Sequence, residues 1–221
     1  MNWQLISFFG DSTVLLPSAA ALFIVLMLRK TSRLLAWQWS LLFGITGAIV
    51  CASKLAFMGW GLGIRELDYT GFSGHSALSA AFWPIFLWLL SAAFWPIFLW
   101  LLCARFSVGL RKAAVITGYV LAAVVGYSRL VIHAHSVSEV IAGLLLGAAG
   151  SALFLVLQKR TSDCDYKTIP WGGIACLVMV PLILLHSGSK APTQTLLGQI
   201  ATAIGPLDKP FTREDLHKQA W

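Results

Sequence analysis

Charge is scarce in this sequence. Asp, Glu, Lys and Arg make up 11% of its 221 residues, where a soluble domain of this size carries roughly a quarter. The scarcity is uneven as well: nine acidic, sixteen basic and five histidine residues gather in short segments between long uncharged runs. That pattern excludes an ordinary soluble core and predicts stacked transmembrane spans. Paired cysteine is also lacking. The four cysteines, at 51, 103, 164 and 176, show neither disulfide nor metal-ligand spacing. Cys51, Cys103 and Cys176 fall in or beside apolar runs, where cysteine is usually a small buried hydrophobe, so no chemistry is assigned to them. The first eleven residues lack Lys and Arg, and the first basic cluster follows the first apolar run instead of preceding it; no cleavable signal peptide is expected.

The net charge of +7 does not point to a nucleic-acid partner. The basic residues sit at the ends of apolar runs and form no stripe with interleaved aromatics. They read as topology signals. The uncharged runs are 12–28, 34–53, 76–104, 113–128, 140–158 and 168–189. A helix needs about 20 apolar residues to cross the hydrocarbon, so the fold class is all-α, a polytopic bundle of about six transmembrane helices. Arg29, Lys30 and Arg33, then Arg105, Arg111 and Lys112, then Lys159, Arg160 and Lys167 occupy alternate connections. The positive-inside rule puts these connections in the cytoplasm. The N-terminus, the 54–75 and 129–135 loops and the tail from about 190 then lie outside. Ten Trp suit membrane interfaces. The expected division is a membrane domain over 1–189, with a catalytic core of about 50–158, and a polar non-cytoplasmic tail over 190–221 that carries no assigned function. A short helix is predicted around Thr212–Gln219.

The outside loops hold what the composition makes rare. Ionisable groups at membrane depth are costly and suggest a functional site. His135 and Glu139 are four apart, on one face of a helix that begins near Ser136. The carboxylate can accept one imidazole N–H and leave the other nitrogen as a nucleophile. Ser136-x-x-Glu139 also reads as a capping box, in which Glu139 serves only the helix end. His133 lies on a different face. Phe72-Ser73-Gly74-His75 precedes the third run. There Ser73 is a good N-cap, Gly74 lets a ligand approach the backbone, and a helix start suits an anion such as phosphate. His75 stands at that mouth, able to protonate a leaving group; the plainer alternative is a capped helix with an interfacial histidine. Lys54, Arg65 and Arg129 fall on the same side of the membrane. Singly each reads as a snorkelling residue, and together they read as a clamp on a phosphoryl group.

These segments resemble the type 2 phosphatidic acid phosphatase superfamily, whose motifs run KxxxxxxRP, PSGH and SRxxxxxHxxxD. The third is matched by Ser128-Arg129, His135 and Glu139, with Glu in place of Asp and with a spacing that selects His135 over His133. The second is matched by Phe72-Ser73-Gly74-His75, with Phe in place of Pro. In the first, ten residues separate Lys54 and Arg65 instead of six, and Glu66 replaces Pro. The resemblance covers roughly 50–158 and implies a helical fold with the site inside a six-helix core. It implies a membrane phosphatase acting on a lipid phosphate or diphosphate, without metal or cofactor. Under it, His135 is the nucleophile and forms a phosphohistidine, Glu139 holds it and His75 is the acid. Lys54, Arg65, Ser73, Gly74 and Arg129 bind phosphate. The substrate expected is a membrane lipid such as undecaprenyl diphosphate, in a bacterial inner membrane with the site facing the periplasm. Transfer of the phosphoryl group to another lipid, a zinc hydrolase built on His133, His135 and Glu139, with His75 as a further candidate ligand, and a non-enzymatic protein with a degenerate site are the competing readings.

Residues 79–90, SAAFWPIFLWLL, recur unchanged at 91–102. An unbroken twelve-residue copy reads as an in-frame duplication. Twelve extra helical residues add about 18 Å and about 120° of rotation. Tilt, a kink at Pro84 or Pro96, or protrusion into the cytoplasm would have to absorb them.

Overall fold

The computed structural model describes residues 3–93, 107–160, 171–187 and 193–218. These form nine α-helices and two short 3-10 turns, with no strand among the described residues. A short α1 (Trp3–Phe8) leads into α2 (Ser12–Met27). There follow α3 (Arg33–Trp60), α4 (Gly74–Ala93), α5 (Ser107–Val131), α6 (Val137–Arg160), α7 (Trp171–Ser187), α8 (Thr193–Ile204) and α9 (Arg213–Lys218). Among the described residues, each of the six uncharged runs contributes one helix, α2 to α7. Four stretches, Trp3–Met27, Lys30–Trp60, Gly109–Val131 and Val137–Lys159, are long and apolar enough to cross a membrane, and Gly172–Leu184 is a shorter apolar helix. This is a multi-pass, all-α membrane protein.

The helix ends follow local chemistry. Asp11 caps α2, its Oδ1 accepting the Thr13 N–H at 2.9 Å, which satisfies a donor that a helix start leaves open. Gly61 ends α3 in a left-handed conformation (φ 69°) that costs glycine little. The faces follow composition. Leu34, Trp37, Leu41, Ile45 and Ile49 form an exposed apolar stripe along α3, as Ile141, Leu145, Leu153 and Val156 do along α6. In a membrane these stripes meet lipid.

The core is built around α4. Ala80, Ala81, Phe82, Trp83, Ile85, Phe86, Trp88 and Leu89 are all buried, and α4 packs on α2, α3, α5 and α6. Small residues set this spacing, as is common between membrane helices. A Cβ on Gly147 of α6 would lie 2.1 Å from the Ala77 carbonyl oxygen, and one on Gly118 of α5 would lie 2.4 Å from the Pro84 Cα. The first copy of the repeated sequence therefore sits in the core, and α4 remains helical through Pro84. Of the second copy, 91–93 end α4, while 94–102, with Pro96, lie outside the described residues.

Antiparallel packing gathers one set of helix ends. The start of α2, the end of α3, the start of α4, the end of α5 and the start of α6 share one end of the bundle, and α8 packs beside α3 there. Arg29, Lys30, Arg33, Arg111, Lys112 and Lys159 belong to the opposite helix ends.

Candidate active site

A cavity of about 620 Å³ opens at the gathered helix ends. Its polar wall carries Asp11, Lys54, His75, Arg129 and His135, and its apolar wall carries Leu16, Phe43, Val50 and Leu78. Five residues that the sequence singled out, Lys54, Gly74, His75, Arg129 and His135, thus face one space from three separate segments.

His135 lies in the turn between α5 and α6, and Glu139 in the first turn of α6. The imidazole Nδ1 and Glu139 Oε2 are 2.6 Å apart. With the carboxylate ionised, Nδ1 carries the proton and Nε2 keeps its lone pair. Burial pushes the His135 imidazole below its ordinary range; the Glu139 hydrogen bond opposes the shift, and the Lys54 and Arg129 charges reinforce it. The ring is therefore neutral at neutral pH, as a nucleophile requires.

Glu139 makes both sets of contacts that its sequence left open, to the His135 ring and to the helix start. Its Oε2 also accepts the Ser136 N–H at 3.3 Å, while Ser136 Oγ accepts the Glu139 N–H at 3.4 Å, which completes a reciprocal capping box. Its Oε1 is held separately, by the Thr70 N–H at 2.8 Å, by the Thr70 hydroxyl and by Arg213 Nη2 at 2.8 Å. The carboxylate has no solvent exposure. The extra methylene of Glu is accommodated because the two oxygens have different partners on different elements.

His75, in the first turn of α4, faces Asp11, with Nε2 3.4 Å from Oδ2. Asp11 caps α2 with one oxygen and faces His75 with the other. Arg129, at the end of α5, donates from Nη1 to Ser7 Oγ at 2.6 Å. Its Nε is buried without a hydrogen-bond partner among the described residues. Lys54 Nζ donates to Gln194 Oε1 of α8 at 3.2 Å.

Other residues fall elsewhere. Arg65 sits exposed in a 3-10 turn and lines neither cavity at this end. The stretched spacing after Lys54 accounts for this: α3 continues to Trp60, and Arg65 follows the helix on a loop. Gly74 lines the cavity, but Ser73 does not. Ser73 is fully buried, its Oγ accepts from Ser76 Oγ at 3.0 Å, and its N–H donates to the Glu139 carbonyl at 3.1 Å. That N–H is thus committed to tying α4 to α6. Phe72, in place of Pro, has an N–H that proline lacks, and Ser53 Oγ accepts it at 3.2 Å. His133 takes a left-handed backbone (φ 54°) and lines a second cavity of about 330 Å³, bounded by Lys54, Thr70, His135, Phe211 and Arg213. Among the described residues, no three His, Cys, Asp or Glu side chains group as metal ligands would.

Sequence reasoning missed Asp11, Thr70, Gln194 and Arg213. A buried acid in an apolar N-terminal segment was a usable signal for Asp11. Nothing local marked the other three.

Comparison with known proteins adds the family. The model of the PAP2 superfamily matches residues 56–163, which include both His–carboxylate segments except Asp11. A relative from Klebsiella pneumoniae, described as an uncharacterized 22.5 kDa protein in cps region, is 89% identical over 221 residues, covering 100% of both chains. No solved structure matches.

Proposed function

The chain belongs to the PAP2 superfamily, whose members are generally phosphatases, and from that premise we propose that it hydrolyses a lipid phosphate or diphosphate through a phosphohistidine on His135. Family membership alone supports a phosphatase-type function on phosphate esters; the lipid, the intermediate and the residue roles are our reading. The observation that carries it is one cavity in which His135, held from behind by Glu139, meets His75, Lys54 and Arg129 beside an apolar wall. That wall suits an acyl or prenyl chain, and the polar rim suits its phosphate.

In the proposed reaction, His135 Nε2 attacks phosphorus in line with the ester oxygen. The N–P bond forms as the P–O bond breaks, and Glu139 balances the charge that develops on the ring. His75 gives a proton to the departing alkoxide or phosphate. Lys54 and Arg129 stabilise the equatorial oxygens, and the unpartnered Arg129 Nε supports a role as anion donor. Water then attacks the phosphohistidine, returns the imidazole and releases phosphate. The basic helix ends opposite the site support a non-cytoplasmic cavity, at the periplasmic face of a bacterial inner membrane.

The test is phosphate release by the purified protein in detergent from undecaprenyl diphosphate, phosphatidylglycerol phosphate, phosphatidic acid and a lipid A phosphate. Release from at least one lipid, abolished in His135→Ala and inhibited by vanadate in the presence of chelator, is expected. Turnover retained in His135→Ala, or none on any of the four lipids, would overturn the reading.

A further inference from the structure

The oxygen of Glu139 that faces away from His135 is held by a residue from the far end of the chain. We infer that Arg213 is a positioning residue for the site: its guanidinium fixes and neutralises Glu139 so that the carboxylate keeps His135 aimed into the cavity. This rests on the reading of His135 as nucleophile.

A carboxylate with no solvent exposure needs a compensating charge and filled hydrogen-bond sites. His135 is neutral at neutral pH and supplies a donor without a charge. Lys54 spends its contact on Gln194. The guanidinium of Arg213 supplies the charge at hydrogen-bond distance, with Nη2 2.8 Å from Glu139 Oε1. Its other nitrogen, Nη1, lies 2.9 Å from Asp68 Oδ2, and Asp68 Oδ1 is 2.9 Å from His217 Nε2. One planar fork thus bridges two acids on two elements, a geometry that lysine cannot copy.

Arg213 is not on a loose tail. The Phe211 N–H donates to the Met58 carbonyl at 2.8 Å, and the Phe211 ring packs edge-on against Phe57 at 5.5 Å. Thr212 caps α9 reciprocally with Asp215: the Thr212 N–H donates to Asp215 Oδ2 at 2.9 Å, and the Asp215 N–H donates to Thr212 Oγ1 at 3.3 Å. The last described helix is built to deliver one side chain to the back of the site. Arg65, the cation expected from the sequence, stays on the surface. A guanidinium therefore does reach this side of the site, but it comes from α9 and acts on the carboxylate instead of the substrate.

The charged and titratable groups around the couple are Lys54 from α3, Tyr69 beside Thr70, His75 from α4, Arg129 from α5 and Arg213 from α9. Removing Arg213 leaves Glu139 with more negative charge for His135, so the imidazole should hold its proton to higher pH. A purely structural role for α9 predicts no such change.

The experiment measures kcat, KM and the acid limb of kcat/KM for the full-length protein and its Arg213→Gln, Arg213→Lys and Asp68→Asn variants, on whichever lipid phosphate the parent hydrolyses. In parallel, NMR follows the His135 imidazole titration. In Arg213→Gln, kcat should fall by about 10- to 100-fold with KM within about twofold, and both acid limb and imidazole titration should move to higher pH. Arg213→Lys should recover part of the rate. Asp68→Asn, which loosens α9 but leaves Arg213 on Glu139, should stay near the parent. An unmoved titration in Arg213→Gln, an Arg213→Lys variant no better than Arg213→Gln, or an equal loss in Asp68→Asn would each overturn the inference. If Arg213→Gln does not purify folded, the Arg213→Lys and Asp68→Asn comparison decides. A parent without turnover would sink the phosphatase reading, and the NMR titration would still judge Arg213.

Discussion

At the scale of single residues, the site works by giving each group partners that fix its protonation. The neutral state of His135 has a consequence for pH. Its folded-state value lies below the ordinary one near 6.5, so the free Nε2 persists as pH falls to about 6.5 and is lost only below it. The kcat/KM profile, which reports the ligand-free protein, should therefore show an acid limb whose midpoint lies below 6.5, and a midpoint at or above that pH would contradict the assignment. The stability sign is the same. Between the folded and unfolded values the unfolded chain binds the extra proton, so stability declines as pH falls through that window. The His135–Glu139 couple was legible in the sequence because both residues lie on one helix face, where spacing alone fixes the contact. Arg213 and Asp11 were not, since their contacts join segments that no local pattern links. Ser73 matched its motif position but is consumed in packing, and Arg65, at a stretched spacing, is carried off by a longer helix.

At the scale of helices, α4 holds His75 in place because its neighbours come unusually close. Gly147→Ala puts a methyl where only 2.1 Å separates it from the Ala77 carbonyl oxygen, and a backbone atom cannot swing away. We expect a loss of about 1–3 kcal/mol in stability, read as a lower thermal midpoint, together with reduced turnover because Ala77 is two residues from His75. An unchanged midpoint would show that α4 and α6 are free to separate. The repeat belongs here too. Residues 79–90 supply most of the buried side chains of α4, so the core described here is built from the first copy. Deleting 91–102 should raise the thermal midpoint and leave the site intact; an equal or lower midpoint would mean that the copy has found packing of its own. The helices themselves were readable as uncharged runs, since apolar length is a direct demand of the bilayer. The ends of α3 were not: the helix runs on to Trp60 and carries the charged Lys54 beyond its apolar stretch.

At the scale of the whole molecule, two ends with different chemistry face opposite sides of the membrane, one basic and one bearing the cavity. The tail belongs to the second end. The sequence marked it as polar, with a helix near 212–219, and α9 spans Arg213–Lys218. Its docking against the site was invisible because it depends on Phe211, Arg213 and His217 meeting residues brought there only by folding. If the cavity faces the periplasm, a cysteine placed at exposed Lys209 should react with a membrane-impermeant thiol reagent in intact cells, above the level of the parent protein. Reaction only after lysis would reverse the orientation.

The central claim, that a phosphoryl group passes through His135, is tested most directly by rapid acid-free quenching of the protein during turnover of its lipid phosphate, followed by peptide mass spectrometry. The account predicts a phosphoryl group on His135, absent from His75 and His133 and absent altogether in His135→Ala. Steady turnover with no adduct in the quenched samples, or an adduct on another residue, would contradict it.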